Sequence, residues 1–378
     1  MTMPSAADLP TMLVAGRIDR ARAGFEAAGI DALLVTDLTN VRYLTGFTGS
    51  AGRLLVRSTT PPQPPLLVTD GRYADQAADQ VAGVGVDVKL EIALTLAEQD
   101  SILSDAVPTG TRLGLEAASV TWAAQRRYGD DPWRAELVAT DDLVEDVRRS
   151  KDEGEVARLG RAAAIADAAL GTVSAMLDDR PTEREVAFAL EAEMHRLGAE
   201  GPSFDTIVAS GPNGARPHHR AAERMIVEGD LVVIDFGALV DGYHSDMTRT
   251  FTVGDPSPTQ RRMLGVVGEA QAAGVAEVRA GVGAAEVDSA CRSVIDDAGW
   301  GEAFSHGTGH GVGLLIHEAP RLSRISKSTL SAGDVVTVEP GVYLPDHGGV
   351  RVEDTVVVTD EGCFPLTLAP KDPAGRAP

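Results

Sequence analysis

The stretch that most constrains the fold runs from residue 231 to 250, LVVIDFGALVDGYHSDMTRT. It reads as an aliphatic strand, an Asp-Gly turn at Asp241 and Gly242, and a second strand, and Asp-Gly between apolar runs is a strong hairpin signal. A two-residue turn places Val240 opposite Tyr243. Asp235 then falls opposite Thr248, with Asp246 one diagonal step away on the same face. Two carboxylates are thereby aimed at one region from within apolar strands. Burying an Asp is costly unless donors or a metal compensate it. The competing reading is an edge hairpin whose acids face solvent.

A chain of 378 residues suits two domains of ordinary size. The net charge of −22 argues against nucleic acid or an anionic membrane as partner, since both are polyanions. The two cysteines, Cys291 and Cys363, form no CxxC or metal-finger pattern. A disulfide framework is not expected, which fits a reducing compartment, and Cys291 reads as a small core residue in a helix. The first ten residues, MTMPSAADLP, have neither the basic start nor the apolar run of a signal peptide, and no apolar stretch is long enough to span a bilayer. A cytoplasmic location is the expectation.

The first 145 residues alternate helical and strand-like patterns. An amphipathic helix over 14–28 ends at Gly29, and strands are expected at 32–36, 54–56, 66–69 and 86–92. Helices at 73–81 and 94–107 lie between them, giving an α/β domain with a parallel or mixed sheet. The run GFTGSAG at 46–52 lacks the Gly-Lys-Ser/Thr ending of a phosphate loop and is rejected as one. A charged break at 141–153 separates this domain, 1–145, from a second, 146–378. There a long helix over 155–177 precedes a helix opened by a capping box at Thr182 and Glu185 and running to about 197. A strand at 204–209 and the hairpin follow; then come helices at 258–279 and 284–298 and strands at 332–339 and 349–358. Two helices followed by strands, twice over, reads as a duplication of architecture.

All eight histidines lie from His195 onward, and three fall in HGTGHGVGLLIHE, at His306, His310 and His317. The alternating glycines forbid the HExxH zinc helix and do not form GxGxxG; they read as places where backbone crowds a ligand site. Downstream, Glu339 (VVTVEPG) and Glu353 (GVRVEDTVVV) repeat the oddity of Asp235, an acid inside an apolar strand. Four such acids and His310 would need separate structural partners, whereas one metal centre satisfies them together. Four carboxylates and an imidazole match two divalent cations. Oxygen-rich ligands favour Mn²⁺, with Co²⁺ or Zn²⁺ as alternatives. Two such ions would activate a water for hydrolysis.

These motifs resemble the metallopeptidases that include prolidase, aminopeptidase P and methionine aminopeptidase. Five positions match in type, order and context: Asp235 (VIDFG), Asp246 (SDMTRT), His310 (GTGHGVG), Glu339 (VEPGVY) and Glu353 (RVED). NVRYLTGFTGSAG at 40–52 is similar to the N-terminal domain of prolidases and aminopeptidase P, which methionine aminopeptidases lack. The resemblance implies an α/β N-terminal domain and an α+β "pita-bread" catalytic domain. It implies that Asp246 and Glu353 bridge two ions, that Asp235 binds one, and that His310 and Glu339 bind the other, with Glu339 as general base. It places His218 and His317 on the substrate as catalytic groups, with Tyr343 and Arg351 also near it. For His219 and His306 a role in supporting the ligands or the fold is left open, and Arg351 could equally be a charge partner of Glu353 or Asp246. Arg321, in IHEAPRLS, resembles the prolidase arginine that grips the free carboxylate of a C-terminal proline. The expected activity is hydrolysis of Xaa-Pro dipeptides by a homodimer in which one subunit's N-terminal domain covers the other's site. The alternatives are an Xaa-Pro aminopeptidase and, in a different class, a non-catalytic binding module with this fold. Creatinase shares the fold without the metal set.

Overall fold

The computed structural model describes residues 8–58 and 62–371. The described residues divide into two compact units, one over 12–148 and the other over 149–371 together with 8–11. The division lies inside the short helix Glu145–Arg149, three residues beyond the expected boundary at 145, and the N-terminal stretch joins the second unit instead of the first.

The first unit is built on a six-stranded sheet: β1 (Ala32–Val35), β2 (Arg53–Arg57), β3 (Leu66–Thr69), β4 (Lys89–Ile92), β5 (Arg112–Glu116) and β6 (Glu136–Thr140). Its order is β4-β3-β2-β1-β5-β6. β1 pairs antiparallel with β2 and parallel with β5, so the sheet is mixed. Leu33, Leu34 and Val35 are buried on both faces, as expected of a strand whose apolar run is continuous. The sequence reading does not include β5 and β6. The GFTGSAG loop is a packing feature: a Cβ on Gly49 would lie 2.2 Å from the Phe47 ring, which makes an edge contact with Tyr73.

The second unit repeats one plan. Helices Glu153–Val173 and Glu183–Arg196 back a sheet of β8 (Ile207–Ser210), β9 (Leu231–Phe236) and β12 (Met247–Thr252), ordered β12-β9-β8; a small sheet joins β7 (Gly201–Pro202), β10 (Ala238–Val240) and β11 (Tyr243–His244). Helices Pro258–Glu277 and Ala284–Asp297 then back the strands β13 (Gly309–Gly311), β14 (Glu318–Leu322), β15 (Val335–Val338), β18 (Asp354–Val358) and β19 (Cys363–Pro365). A ribbon of β16 (Gly341–Leu344) and β17 (Gly348–Arg351) completes this half. The expected duplication of architecture is therefore present. The capping box expected at Thr182 and Glu185 is formed, and Cys291 is a fully buried core residue. The expected strand over 349–358 is two strands, interrupted at Val352 and Glu353. No helix among the described residues is long and apolar enough to cross a membrane.

Candidate metal centre and substrate cavity

The hairpin register sets the first two acids. Val240 faces Tyr243 across the Asp-Gly turn, and both turn residues have positive φ, 47° at Asp241 and 68° at Gly242. The register carries through a break in the ladder, so Asp235 on β9 faces Thr248 on β12, as its spacing predicts. Asp246 lies in that break, immediately before β12.

β12 then grips the interrupted segment between β17 and β18. The Thr248 hydroxyl donates to Glu353 Oε2 at 2.7 Å, and Glu353 N–H donates to the Thr248 carbonyl at 3.2 Å. Thr355 Oγ1 donates to the Asp246 carbonyl, and the buried Arg249 guanidinium donates to the Glu353 carbonyl. Glu353 spends its amide on β12 instead of a sheet ladder, which turns its side chain toward the two aspartates. Ligand-type oxygens of Asp235, Asp246 and Glu353 lie within 4.8 Å of one another. From the other side, His310 Nε2 reaches Asp246 Oδ2 at 3.5 Å and Glu339 Oε1 at 3.3 Å. All five expected ligand positions converge, and both halves of the unit supply them.

The glycines around His310 have a second reason beside the expected one. A Cβ on Gly309 would lie 2.0 Å from the Thr337 carbonyl oxygen, and one on Gly311 2.2 Å from that of Ala319. They let β13 approach neighbouring protein backbone, which brings His310 beside Glu339, while Gly307 and Gly309 also line the cavity beside the cluster.

Charge in this cluster is under-compensated. Burial and the repulsion of neighbouring carboxylates push Asp246 and Glu353 well above the usual carboxyl range. Burial also raises Asp235, against the pull of the adjacent Arg351 cation. Burial opposes ionisation of Glu339 as well, but the hydrogen bond and charge of His310 outweigh it and hold that carboxyl at about 2. Two buried oxygens of the cluster, Asp235 Oδ1 and Glu353 Oε1, have no hydrogen-bond partner among the described residues. Orphaned buried carboxylate oxygens in a converging, oxygen-rich set are what divalent cations would satisfy.

The cluster forms one wall of a cavity of about 430 Å³. His218, His317 and Arg321 line it as expected, and His306 lines it too; Phe204, Ile207, Pro217 and Ile316 supply an apolar surface. His317 packs edge-on against His310, with ring centroids 4.4 Å apart. Burial, and the nearby His310 and Arg321 charges, lower its pKa to about 4. Arg321 sits opposite His310 in the β13–β14 register, with its side chain exposed.

Two expectations change in detail. Arg351 pairs with neither Glu353 nor Asp246: its guanidinium donates to Asp235 Oδ2 at 2.5 Å, to Tyr343 Oη at 2.7 Å and to Thr248 Oγ1 at 3.1 Å. Tyr343 is not among the residues lining the cavity; its hydroxyl joins Arg351 to His306 Nε2, 2.9 Å away, and burial pushes its pKa up to about 12. His219 takes a role that was left open for it, outside the cavity and bonded to Glu183. Sequence reasoning misses Thr248 and Phe204. Thr248 carries a usable signal, since the hairpin register already sets it against Asp235.

Residues 157–360 match metallopeptidase family M24, and residues 17–150 match the creatinase/prolidase N-terminal domain. The chain belongs to metallopeptidase family M24. It is 37% identical to an Xaa-Pro dipeptidase of Pyrococcus horikoshii, over 91% of this chain and 94% of that protein. Among solved structures it resembles an Xaa-Pro dipeptidase from Bacillus anthracis, with a TM-score of 0.88 and 40% identity over 96% of this chain and 99% of that one. It also resembles an X-Pro aminopeptidase from Thermotoga maritima, with a TM-score of 0.83 and 34% identity over 94% and 98% of the two chains. The expected fold, an α/β N-terminal domain joined to a pita-bread catalytic domain, is borne out. The family is metal-dependent, in keeping with the carboxylate cluster.

Proposed function

We propose that this chain is a dinuclear Xaa-Pro dipeptidase, with Asp235, Asp246, His310, Glu339 and Glu353 holding two divalent cations, Mn²⁺ foremost. The bound ions would supply an activated water and electrostatic stabilisation of the attacked carbonyl. Glu339 is ionised at neutral pH, since its carboxyl is held at about 2, and so can accept the water's proton. His317, with a pKa of about 4, is neutral at pH 7 and can donate a hydrogen bond to the carbonyl oxygen as charge develops there. The bond before proline is a tertiary amide, so the leaving ring nitrogen must gain a proton to depart as an amine. His218 on the cavity wall, or Glu339 returning the proton it took, serves that end. Phe204, Ile207, Pro217 and Ile316 offer apolar contact to a pyrrolidine ring and its neighbouring side chain.

The observation that carries the dipeptidase reading is Arg321. It lines the cavity, and among the described residues no carboxylate pairs with it. A free cation on that wall suits the carboxylate of a C-terminal proline. The names of the Pyrococcus and Bacillus relatives support the same substrate class. The reading extends to a cytoplasmic homodimer: the free thiols of Cys291 and Cys363 support the compartment, and the family resemblance supports the dimer.

Hydrolysis of Ala-Pro and Ala-Pro-Ala by Mn²⁺-loaded protein, with and without Arg321→Ala, tests the proposal. The dipeptide should be strongly preferred, and the substitution should remove that preference while sparing the tripeptide. Preference for the tripeptide would mark an aminopeptidase instead. Inactivity on both, in protein with metal bound, would favour the binding-module alternative.

A further inference from the structure

Glu183 opens the helix Glu183–Arg196, beside the Thr182 cap, yet its side chain does not face solvent. Its carboxylate is fully buried and lies outside both the metal cluster and the cavity lining. Among the described residues, every donor that reaches it comes from the single segment 210–222. Ser210 N–H and Oγ donate to Oε1 at 2.8 and 2.7 Å, and Asn213 Nδ2 donates to both oxygens at 2.9 and 3.1 Å. At the far end, His219 Nε2 and Ala222 N–H donate to Oε2 at 2.8 and 3.1 Å. One carboxylate thus ties both ends of a segment that leaves β8, lines the cavity with Pro217 and His218, and returns. Burial opposes ionisation of Glu183, but these donors outweigh it and lower its pKa.

We propose that Glu183 is a positioning residue for the reaction: it fixes His218 against the substrate through the 210–222 segment, with His219 as the anchor next to the working histidine. This rests on the reading of His218 as a substrate-handling group. A network with every member satisfied holds one geometry, and small misplacement of a reacting group is costly in rate. Glu183→Gln keeps the shape but turns an amide N–H₂ toward donors, so the segment loses its fixed end.

A double-mutant cycle on cation-loaded protein tests this, with Asn213→Ala as a milder partner for Glu183→Gln. Either substitution should lower kcat/KM for Ala-Pro by roughly 10- to 100-fold while leaving bound metal per chain unchanged, because no ligand lies on the segment. In a His218→Ala background the same substitution should cost less than about threefold, since the group being positioned is gone. Equal losses in both backgrounds, or loss of metal, would reduce Glu183 to a general structural role and overturn the proposal. If Glu183→Gln does not fold, Asn213→Ala is read through the same cycle. Full activity of His218→Ala by itself would instead sink the reading of His218, and the proposal with it.

Discussion

Thr248 does at residue scale what no ligand could do alone. Its hydroxyl donates to Glu353 Oε2 and accepts from Arg351 Nε, so it orients one acid directly and another, Asp235, through the arginine. Thr248→Val is nearly isosteric and removes both bonds. Supporting contacts of this kind are worth about 10- to 100-fold in metal affinity. Titration with Mn²⁺ should show that loss while saturated protein keeps its fold, and undiminished affinity would mean Glu353 is held by other means. Loss of a ligand should be harsher: Asp246→Ala or Glu353→Ala should abolish activity and lower metal content, and full activity at low metal in either would refute the assignment. The acids were legible in the sequence because each stands in or beside an apolar run, where a buried uncompensated charge is untenable, although only Asp235 among them lies inside a strand. The partners of Arg351 were not, because sequence adjacency to Glu353 says nothing about which acid the side chain meets after the chain turns at Val352. Cys291 was legible as core for the ordinary reason that it sits in a helix among apolar neighbours. Burial pushes its thiol up to about 12 from a usual value near 9. Native protein at pH 8 should therefore leave Cys291 unmodified by iodoacetamide, with labelling only on unfolding; rapid native labelling would contradict its burial.

Strand approach decides the site at element scale. β13 lies against β15 closely enough that the His310 amide reaches Thr337 Oγ1 at 3.0 Å and the Glu339 amide reaches the Thr308 carbonyl at 2.7 Å. Gly309→Ala would drive a methyl into the Thr337 carbonyl and push the strands apart, separating His310 from Glu339. The expected cost is about 1–3 kcal/mol of stability together with weakened metal binding. Gly265 provides the contrast: it is exposed in the helix Pro258–Glu277, and an added Cβ meets nothing within 4 Å. Gly265→Ala should stabilise by about 1 kcal/mol with activity unchanged. Thermal melts of the two variants compare them directly, and similar behaviour would show that the β13–β15 approach is slack. Alternating glycines excluded a helix from sequence alone. They could not say what fills the space beside them, because a neighbouring strand 28 residues from Gly309 leaves no mark on the local pattern. The break between β17 and β18 was hidden for a similar reason: GVRVEDTVVV reads as one continuous strand, and the competing grips of Thr248 and Arg249 on Glu353 interrupt it.

For the whole molecule, the site joins the two halves of the duplicated unit. Asp235 and Asp246 come from the first helix-pair-and-sheet layer, and His310, Glu339 and Glu353 from the second. A cation bound by both halves binds the folded state and has no such site in the unfolded chain, so it must stabilise folding. At a free concentration about a hundredfold above the dissociation constant the gain is about 2.7 kcal/mol. For a unit of this size that corresponds to a rise of roughly 5–10 °C in Tm. The effect should depend on pH in a definite direction. Asp246 and Glu353 have raised pKa values in the metal-free fold, so they retain protons into a range where an ordinary carboxyl is ionised. A cation must displace those protons. Binding should therefore release protons, seen as a dependence of the calorimetric heat on the ionisation enthalpy of the buffer, and the rise in Tm should shrink as pH is lowered from 7.5 toward 5.5. The protein's net charge of −22 raises the local concentration of any cation but cannot produce proton release or site-specific stabilisation. A Tm rise of equal size at both pH values, with no buffer-dependent heat, would place the cations on the acidic surface and leave the cluster to be explained as a set of protonated acids.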